Sequence, residues 1–467
     1  MSGSQLVCHT INPRLFPQQV AWIANDAQDK VIFVDLNIFP LVEKLAPSLP
    51  ALQHVVLMCA RENMPRECAL PSLHCYEDLI AAEDGNYEWP TFDENAAASI
   101  CYTSGTTGNP KGAVYTHRST VLHAFAAALP DAMCLKATDT VLPVVPMFHV
   151  NAWGIPYSAA LVGCKLVMPG HHLDGASLYN LFEKEQVTMS AGVPTIWLGL
   201  LNHVKTNNLK FSSFKTTIIG GSACPPAMIR TFENDYNVEV IHAWGMTELS
   251  PLGTLSKLTA RQLKLPQEEQ RRILEKQGKV IYGIDMAVID DAGDAQPWDG
   301  TSSGNLVVRG HWVINSYFGQ TQSALVPVKE QGHDAGQWFP TGDVATIDVD
   351  GFMQITDRSK DVIKSGGEWI SSIDLENIAM AHPAVGEAAA IACRHPKWDE
   401  RPLLVVVRKP GATLSREEML AFYEGRIAKW QVPDDVVFVD EIPHTATGKI
   451  QKLKLRQQFA EHRLPGT

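Results

Sequence analysis

Short apolar runs recur along the first part of the chain, and stretches with helical periodicity separate them. This alternation is typical of buried parallel strands joined by crossover helices, and it constrains the fold more than any other feature. One intervening stretch, residues 176–186, places Leu178, Leu181 and Phe182 on one helical face. The pattern predicts an α/β large domain with layered sheets, with strands at residues 31–35, 54–58, 99–104, 165–169, 216–220 and 238–243.

The pattern changes near residue 304. Residues 304–310 predict a single strand, and residues 345–357 predict two strands joined at the Asp350-Gly351 turn. Hairpins of this kind form antiparallel sheets, because a tight turn reverses the chain direction. We therefore expect a small β-barrel-like portion within the large domain.

The domain boundary is predicted where a charged segment is followed by glycines. Residues 358–364 are rich in charge and Ser365-Gly366-Gly367 follows them, a combination typical of an exposed linker. Beyond it, residues 415–429 predict a helix that begins with a capping box formed by Ser415 and Glu418. The predicted domains are a large one over residues 1–357 and a small, mobile α+β domain over residues 358–467.

The charge balance and the cysteines exclude several classes of protein. The chain has 39 Lys and Arg residues against 51 Asp and Glu residues, and its basic residues form no long run, so nucleic acid is excluded as a partner. Its 9 cysteines contain no Cys-x-x-Cys pair, which argues against a disulfide framework and a zinc ribbon. No stretch approaches the ~20 apolar residues of a transmembrane helix, and the first residues lack a signal peptide. A cytoplasmic protein is predicted.

The segment after the apolar residues 96–101 is the most informative about chemistry. Its sequence, YTSGTTGNPKG at residues 102–112, combines glycines, hydroxyl side chains and one lysine. Glycines let backbone N–H groups approach a phosphate, and the hydroxyls and the lysine add donors and positive charge. It is not a Walker A loop, because Asn109 and Pro110 separate the lysine from the preceding glycine. We expect a triphosphate to be bound by Thr103, Ser104, Gly105, Thr106, Thr107, Gly108 and Lys111.

This segment resembles the signature of the adenylate-forming superfamily, which includes acyl-CoA synthetases, luciferases and the adenylation domains of peptide synthetases. The strings SGGEWISSIDLE and HPKWDERPLLVVV are most similar to medium-chain fatty acyl-CoA ligases and 3-methylmercaptopropionate-CoA ligases. Further motifs of the superfamily follow in its usual order and cover nearly the whole chain. They are PMFHVNAWG at 146–154, GGSA at 220–223, HAWGMTE at 242–248, TGD at 341–343, DRSKDVIKSGGEWI at 357–370 and PHTATGKI at 443–450.

The resemblance implies an acyl-CoA ligase that uses ATP, Mg²⁺ and coenzyme A. A carboxylate attacks the α-phosphorus of ATP to give an acyl-adenylate and pyrophosphate, and the thiol of coenzyme A then displaces AMP. Lys449 is implied to bridge the carboxylate and the α-phosphate, and Glu248 to hold Mg²⁺. Asp343, joined by Arg358, is implied to bind the ribose, and Trp244 to stack on adenine. The other residues implied to bind nucleotide or coenzyme A are Gly220, Gly221, Ser222, His242, Ala243, Gly245, Thr247, Lys364, Gly366, Gly367 and Glu368.

The resemblance also implies an acyl pocket and a hinge. His149, Val150 and Trp153 lie on the PMFHVNAWG motif, where the superfamily lines its acyl pocket and regulates entry of the thiol. The bulky indoles of Trp153 and Trp244 predict a short- or medium-chain acid rather than a long one. Lys360 matches the hinge position, about which the small domain rotates between the two half-reactions.

The beginning of the chain departs from the superfamily pattern. Relatives carry a substantial stretch before the phosphate loop, whereas the loop begins here near residue 102. We therefore expect the large domain to lack its first strands and helices. Three alternatives stay open: a 3-methylmercaptopropionate-CoA ligase, a luciferase-like oxygenase, and a truncated, catalytically impaired fragment that binds nucleotide or a partner. A homodimer is left open as the assembly.

Overall fold

The computed structural model describes residues 2–68, 70, 72–103, 109–365, 368–444 and 450–465. None of the helices in these ranges is both long and apolar enough to cross a bilayer. The helices are α1 (Pro17–Asp26), α2 (Phe39–Leu45), α3 (Tyr76–Ala81), α4 (His117–Ala128), α5 (Val150–Trp153), α6 (Ile155–Val162), α7 (Gly175–Glu185), α8 (Pro194–Thr206), α9 (Pro226–Arg230), α10 (Gln267–Leu274), α11 (Ser372–Met380), α12 (Arg416–Phe422) and α13 (Lys452–Gln458).

The strands follow the same chain order. They are β1 (Cys8–His9), β2 (Val31–Asp35), β3 (His54–Met58), β4 (Leu73–Cys75), β5 (Ala97–Tyr102), β6 (Gly112–Thr116), β7 (Thr140–Pro143), β8 (Lys165–Leu166), β9 (Met189–Gly192), β10 (Thr216–Ile219), β11 (Glu239–Gly245), β12 (Leu252–Leu255), β13 (Lys279–Val280), β14 (Ile284–Ile289), β15 (Gly304–Gly310), β16 (Val326–Glu330), β17 (His333–Ile347), β18 (Met353–Arg358), β19 (Ile363–Ser365), β20 (Glu368–Ile370), β21 (Val385–His395), β22 (Asp399–Arg408) and β23 (Asp435–Phe438).

A seven-stranded sheet in the order β13-β12-β11-β10-β9-β7-β8 forms the centre of the large domain. Strands β7 to β11 are parallel, and β12 and β13 extend one edge in the antiparallel sense. Helices α7 and α8 cover one face through an aromatic core that contains Phe182, Trp197 and Phe214. A second core, with Trp153 and Ile218, covers the other face. The predicted layered α/β architecture is confirmed.

Two three-stranded sheets precede the central one in sequence. Strands β2, β3 and β4 are parallel, whereas β5 pairs in parallel with β1 and antiparallel with β6. The predicted phosphate loop connects β5 to β6. The expected strand at residues 165–169 is wrong in length, because β8 ends at Leu166.

The predicted antiparallel portion consists of β14, β15, β16, β17 and β18. The long strand β17 pairs with β15, β16 and β18. The expected turn lies between β17 and β18, where Gly351 has φ +82° and donates its N–H to the Asp348 carbonyl at 2.8 Å. A bridge between Gly278 and Met353 connects this sheet to the edge of the central one.

The C-terminal part has its own sheet and core. Strands β19 to β22 pair antiparallel, and β23 adds in parallel to β22. The Ser415 hydroxyl caps α12, and the Glu418 side chain completes the capping box as predicted. The expected length of this helix is wrong: α12 ends at Phe422, and Gly425 follows with φ +72°, a left-handed conformation that a continuing helix cannot adopt.

The segment predicted to be an exposed linker is only partly exposed. Arg358 still belongs to β18, where it pairs with Asp343 of β17. Asp361 is buried and forms an ion pair with Arg456 of α13 at 2.7 Å, and Ile363 is buried in the C-terminal core. The sequence pattern did not predict this burial, because Arg456 and the C-terminal core that buries Ile363 come from later parts of the chain.

Candidate active site

A cleft of about 560 Å³ lies at the carboxyl ends of the central parallel strands. Crevices in this position are the usual ligand sites of open α/β sheets, because loops from several strands converge there. Segments that are far apart in sequence line this cleft. The residues predicted from the motifs that line it are Thr103, Lys111, His149, Trp153, Gly220, Gly221, Ala243, Trp244, Gly245, Thr247, Glu248, Arg358 and Lys360.

The ends of the phosphate loop are fixed by hydrogen bonds. The Thr103 N–H donates to the Lys111 carbonyl at 2.9 Å, and the Lys111 N–H approaches the Thr103 hydroxyl at 3.4 Å. The Lys111 ammonium lies 4.9 Å from the centroid of the Tyr317 ring. Thr103 and Lys111 therefore enter the cleft together, at the points where the loop leaves β5 and returns to β6.

Glu248 lies in the turn after β11, and its carboxylate is almost fully buried. The Tyr317 hydroxyl donates to its Oε1 at 2.7 Å. Burial raises the pKa of Glu248, and the Tyr317 hydrogen bond, Arg358 and Lys111 oppose that rise. The described residues contain no cluster of three or more His, Cys, Asp or Glu side chains that could hold a metal. A single carboxylate suits Mg²⁺, which keeps several waters and shares the phosphates of its substrate.

Trp244 and Asp343 form the other polar part of the cleft. The Trp244 indole N–H donates to Asp343 Oδ2 at 2.9 Å, and Arg358 Nε lies 2.8 Å from Asp343 Oδ1. The carboxylate of Asp343 is only 1% exposed, so it lies behind Trp244 and Arg358 rather than in the cleft lining. Asp343 thereby fixes two side chains that do line the cleft.

The apolar part of the cleft is formed by Trp153 against two glycines. A Cβ at Gly220 would lie 2.9 Å from the Ala243 carbonyl oxygen and 3.3 Å from the Trp153 ring. Gly221 has φ +78°, a conformation that side-chain-bearing residues rarely adopt. Glycine at 220 therefore leaves room for the Trp153 ring, and glycine at 221 permits the left-handed backbone beside it.

Helix α5 is one turn of left-handed helix, which the sequence did not predict. Val150, Asn151, Ala152 and Trp153 have φ values of 50°, 51°, 54° and 57°. A left-handed conformation costs roughly 1–2 kcal/mol per residue that is not glycine. The turn is buried, and the Asn151 amide donates to the Thr10 hydroxyl at 3.3 Å. Surrounding contacts thus hold a strained segment that directs Trp153 into the cleft.

The comparisons with known proteins agree with this site. The family model "AMP-binding enzyme" matches residues 3–318, and "AMP-binding enzyme C-terminal domain" matches residues 374–449. The chain belongs to the AMP-binding enzyme family. It is 53% identical over 460 residues to the 3-methylmercaptopropionyl-CoA ligase of Ruegeria lacuscaerulensis, covering 98% of this chain and 84% of that protein.

Further relatives of this AMP-binding enzyme include the medium-chain-fatty-acid–CoA ligase of Ectopseudomonas oleovorans, 51% identical over 461 residues, which is 99% of this chain and 83% of that protein. Among solved structures, the anthranilate CoA ligase AuaEII in complex with anthranoyl-AMP matches with a TM-score of 0.80. That match has 24% identity and covers 97% of this chain and 82% of the other, so it supports the fold alone.

Several residues predicted for the site do not line the cleft of this AMP-binding enzyme. His242 is buried behind it: its Nε2 accepts the Cys224 N–H at 3.3 Å, and its Nδ1 lies 3.0 Å from the Glu275 carbonyl. With both nitrogens bonded to the backbone, His242 supports β11 rather than a ligand. Val150 is buried in the core, and Ser222 and Lys364 are exposed outside the cleft.

The other predicted residues lie wholly or partly outside the described residues. Of Glu368 only the backbone, in β20, is described. The structure describes Ile450, which lines the cleft and directly follows Lys449 in sequence. The residues outside the described ranges are Ser104, Gly105, Thr106, Thr107, Gly108, Gly366, Gly367 and Lys449.

Many residues that line the cleft were not predicted, and two groups of them carry polar side chains or lie beside them. One group is Tyr317, which lies between β15 and β16, together with Thr341 and Gly342 of β17. The other comes from the N-terminal residues His9–Leu15, of which His9 lies with its Nδ1 2.9 Å from Asp29 Oδ2. No local pattern marks Tyr317 or the N-terminal residues, whereas Thr341 and Gly342 belong to the TGD motif, of which only Asp343 was given a role.

Proposed function

We propose that this AMP-binding enzyme is an ATP-dependent acyl-CoA ligase that activates a short- or medium-chain carboxylic acid through an acyl-adenylate. The observation that carries the proposal is that one cleft contains both Lys111 and Glu248 and, beside them, the apolar wall of Trp153 and Gly220. A phosphate-binding end and an acyl-binding end must be adjacent for a carboxylate to reach the α-phosphorus. Relatives named as acyl-CoA ligases at 51–53% identity support it.

The proposed reaction has two steps. A carboxylate oxygen bonds to the α-phosphorus of ATP, and pyrophosphate leaves. The sulfur of coenzyme A then bonds to the acyl carbon, AMP leaves with the electron pair of the broken C–O bond, and the thiol proton is released. Mg²⁺ supplies positive charge to the phosphates when bound, and Glu248 is the described residue that suits it.

Specific side chains are proposed to serve each step. Lys111 attracts the phosphates, and Trp244 with Arg358, both held by Asp343, binds the nucleoside. Lys449 is proposed to lie between the two anions of the first step, which its neighbour Ile450 supports because Ile450 lines the cleft. Lys360 also lines the cleft at the domain junction, and we propose it as the hinge.

The acid is proposed to be short or medium in chain length. The Trp153 indole closes the space in front of Gly220 and Gly221, which leaves little length for an acyl chain on that side. One relative is named for medium-chain fatty acids and another for 3-methylmercaptopropionate, a short acid that carries a thioether. Both acids fit an apolar wall of this kind, so the two substrates are tested together.

A pyrophosphate-release assay tests the function. Hexanoate, octanoate and 3-methylmercaptopropionate are each supplied with ATP and Mg²⁺, with and without coenzyme A. We expect acid-dependent pyrophosphate release, and AMP release that increases when coenzyme A is added. Lys449→Ala should abolish the first step, whereas Lys454→Ala, an exposed lysine of α13, should not change it. ATP binding without any acid-dependent turnover would instead support the impaired nucleotide-binding fragment.

We further propose a cytoplasmic location, which the free thiols of all 9 cysteines support. The homodimer that the sequence analysis left open is likewise a proposal, because it depends on contacts between two chains. Light scattering of the purified protein distinguishes a monomer from the homodimer.

A further inference from the structure

Tyr317 contacts both charged groups at the phosphate end of the cleft, and none of the sequence motifs predicted a role for it. Its hydroxyl donates to Glu248 Oε1 at 2.7 Å, and its ring lies 4.9 Å from the Lys111 ammonium. Glu248 and Lys111 come from different segments of the chain, one after β11 and one before β6. Tyr317 is therefore the side chain through which the two are connected.

The backbone around Tyr317 is anchored to both partners. The Phe318 N–H donates to the Gly112 carbonyl at 2.8 Å, next to Lys111. The Ile314 N–H donates to the carbonyl of Glu248 itself at 3.0 Å. These bonds fix the distance between the Tyr317 segment and each charged group, so the contacts of the side chain do not depend on a mobile loop.

The hydrogen bond also restricts the Glu248 side chain. The phenol of Tyr317 is the donor in this contact, because a carboxylate oxygen only accepts. A donor at Oε1 stops the carboxylate from rotating about its last carbon–carbon bond. The position of the second oxygen, Oε2, is thereby set as well.

We propose that Tyr317 is a positioning residue for Mg²⁺ and ATP: its hydroxyl orients the Glu248 carboxylate for the metal, and its ring holds Lys111 toward the phosphates. This inference rests on the proposed function, because it assumes that ATP binds in this cleft. Partners that orient a metal-binding side chain commonly change metal affinity by about 10–100-fold when they are removed. A cation over an aromatic ring contributes a smaller amount.

The test measures ATP binding by calorimetry without turnover, over a range of Mg²⁺ concentrations and in EDTA. Tyr317→Phe removes the hydroxyl and keeps the ring. We expect it to raise the Mg²⁺ concentration for half-maximal enhancement of ATP binding by about tenfold, with the metal-free Kd for ATP within about twofold. Tyr317→Leu removes both contacts and should also weaken metal-free ATP binding, by about threefold.

Tyr115→Phe is the matched control. Tyr115 is buried, and its hydroxyl donates at 2.7 Å to the carbonyl of Thr247, the neighbour of Glu248, but it does not line the cleft. This variant should lower the thermal stability and leave the Mg²⁺ dependence unchanged. If Tyr317 had a purely structural role, Tyr317→Phe would likewise lower the thermal stability and leave the Mg²⁺ dependence unchanged.

A cycle with Glu248→Gln completes the test. Glu248→Gln should shift the Mg²⁺ dependence by at least as much as Tyr317→Phe, and adding Tyr317→Phe to it should cause no further shift. An unchanged Mg²⁺ dependence in a folded Tyr317→Phe or Tyr317→Leu variant overturns the proposed role of Tyr317 but leaves the proposed function intact. A wild-type chain that binds no ATP overturns this inference and the proposed function together.

Discussion

The two ends of the cleft are built by different physical means. At the polar end, directed contacts join distant segments: Tyr317 to Glu248, and Trp244 and Arg358 to Asp343. At the apolar end, Trp153 is placed by steric exclusion, because only glycine at position 220 leaves room for the ring. Hydrogen bonds fix the orientation of charges, whereas packing fixes a volume.

This difference predicts which property each end controls. In the proposed function, the polar end binds ATP, which every acid shares, so changes there should affect all substrates equally. The apolar end is proposed to bind the acyl chain, which differs between acids, so changes there should alter selectivity.

The largest effect is expected at Asp343. Asp343→Ala leaves the buried Trp244 indole N–H without its acceptor and Arg358 without its partner, which should lower the free energy of unfolding by about 3 kcal/mol. ATP affinity should fall at least about 100-fold, because both side chains lose their orientation. The preference among acids should not change. Urea unfolding and calorimetry measure the two effects.

The control for Asp343 is an ion pair on the surface. Asp285 pairs with Arg309 at 2.8 Å, and both side chains are exposed. Asp285→Ala should cost less than about 1 kcal/mol, as exposed pairs do. A change of acid preference in Asp343→Ala would contradict the division between the two ends.

Two buried histidines, His123 and His242, should each destabilise the protein in acid. Burial lowers the pKa of His123 and of His242 to about 4. An unfolded histidine has a pKa near about 6.5, so the unfolded state binds more protons below that value and stability falls as the pH decreases toward 4. At pH 5 each histidine should reduce the free energy of unfolding by about 2 kcal/mol relative to pH 7.

Urea unfolding at several pH values measures this dependence. His123→Asn and His242→Asn should each be less stable at pH 7, because the Leu252 and Cys224 N–H groups lose their acceptors. Each variant should nevertheless lose less stability between pH 7 and 5 than the wild type does. Substitution of the exposed His171 should leave the pH dependence of the free energy of unfolding unchanged. If all variants lost the same stability between pH 7 and 5, buried His123 and His242 would not be its cause.

Trp153→Ala should change selectivity at the apolar end. Removing the indole opens the space in front of Gly220, so the ratio of kcat/KM for decanoate to that for hexanoate should rise by about tenfold or more. The KM for ATP should stay within about twofold. Trp398→Ala, at an exposed indole outside the cleft lining, is the control. An unchanged ratio would mean that Trp153 does not limit the acyl chain.

The smallest effect is expected from Gly220→Ala. Its new methyl group would lie 2.9 Å from the Ala243 carbonyl oxygen and 3.3 Å from Trp153, so the backbone at Ala243 and the ring must both shift slightly. We expect kcat/KM to fall several-fold for hexanoate and further for octanoate. Gly199→Ala, where a Cβ meets nothing within 4 Å, should keep activity and stabilise α8 by about 0.5–1 kcal/mol. Equal losses for both acids would place the effect outside the acyl pocket.

Much of the fold was predictable because it depends on local periodicity. The runs at residues 31–35 and 54–58 are strands with the predicted bounds, and the Asp350-Gly351 turn lies between two strands. Two element ends were predicted wrongly, because β8 ends at Leu166 and α12 ends at Phe422. Element ends depend on one or two residues, so periodicity places them poorly.

The candidate site was predictable only where motifs carried it. The motifs gave Lys111, Trp153, Gly220, Trp244 and Glu248, which the structure brings together in one cleft. They also included His242, whose nitrogens are both bonded to the backbone behind that cleft. A motif records neighbours in sequence, and alternate residues of a strand point to opposite faces, so not every member of a motif reaches the ligand.

The sequence by itself determined the layered α/β architecture, the segments that carry chemistry and their order along the chain, because local apolar periodicity and short motifs are written in consecutive residues. Only the tertiary structure decided that Tyr317 holds Glu248, that Asp343 lies behind Trp244, and that Val150–Trp153 form a left-handed turn. The first two are contacts between residues 69 and 99 positions apart. The third opposes local preference, and only the surrounding packing can stabilise it.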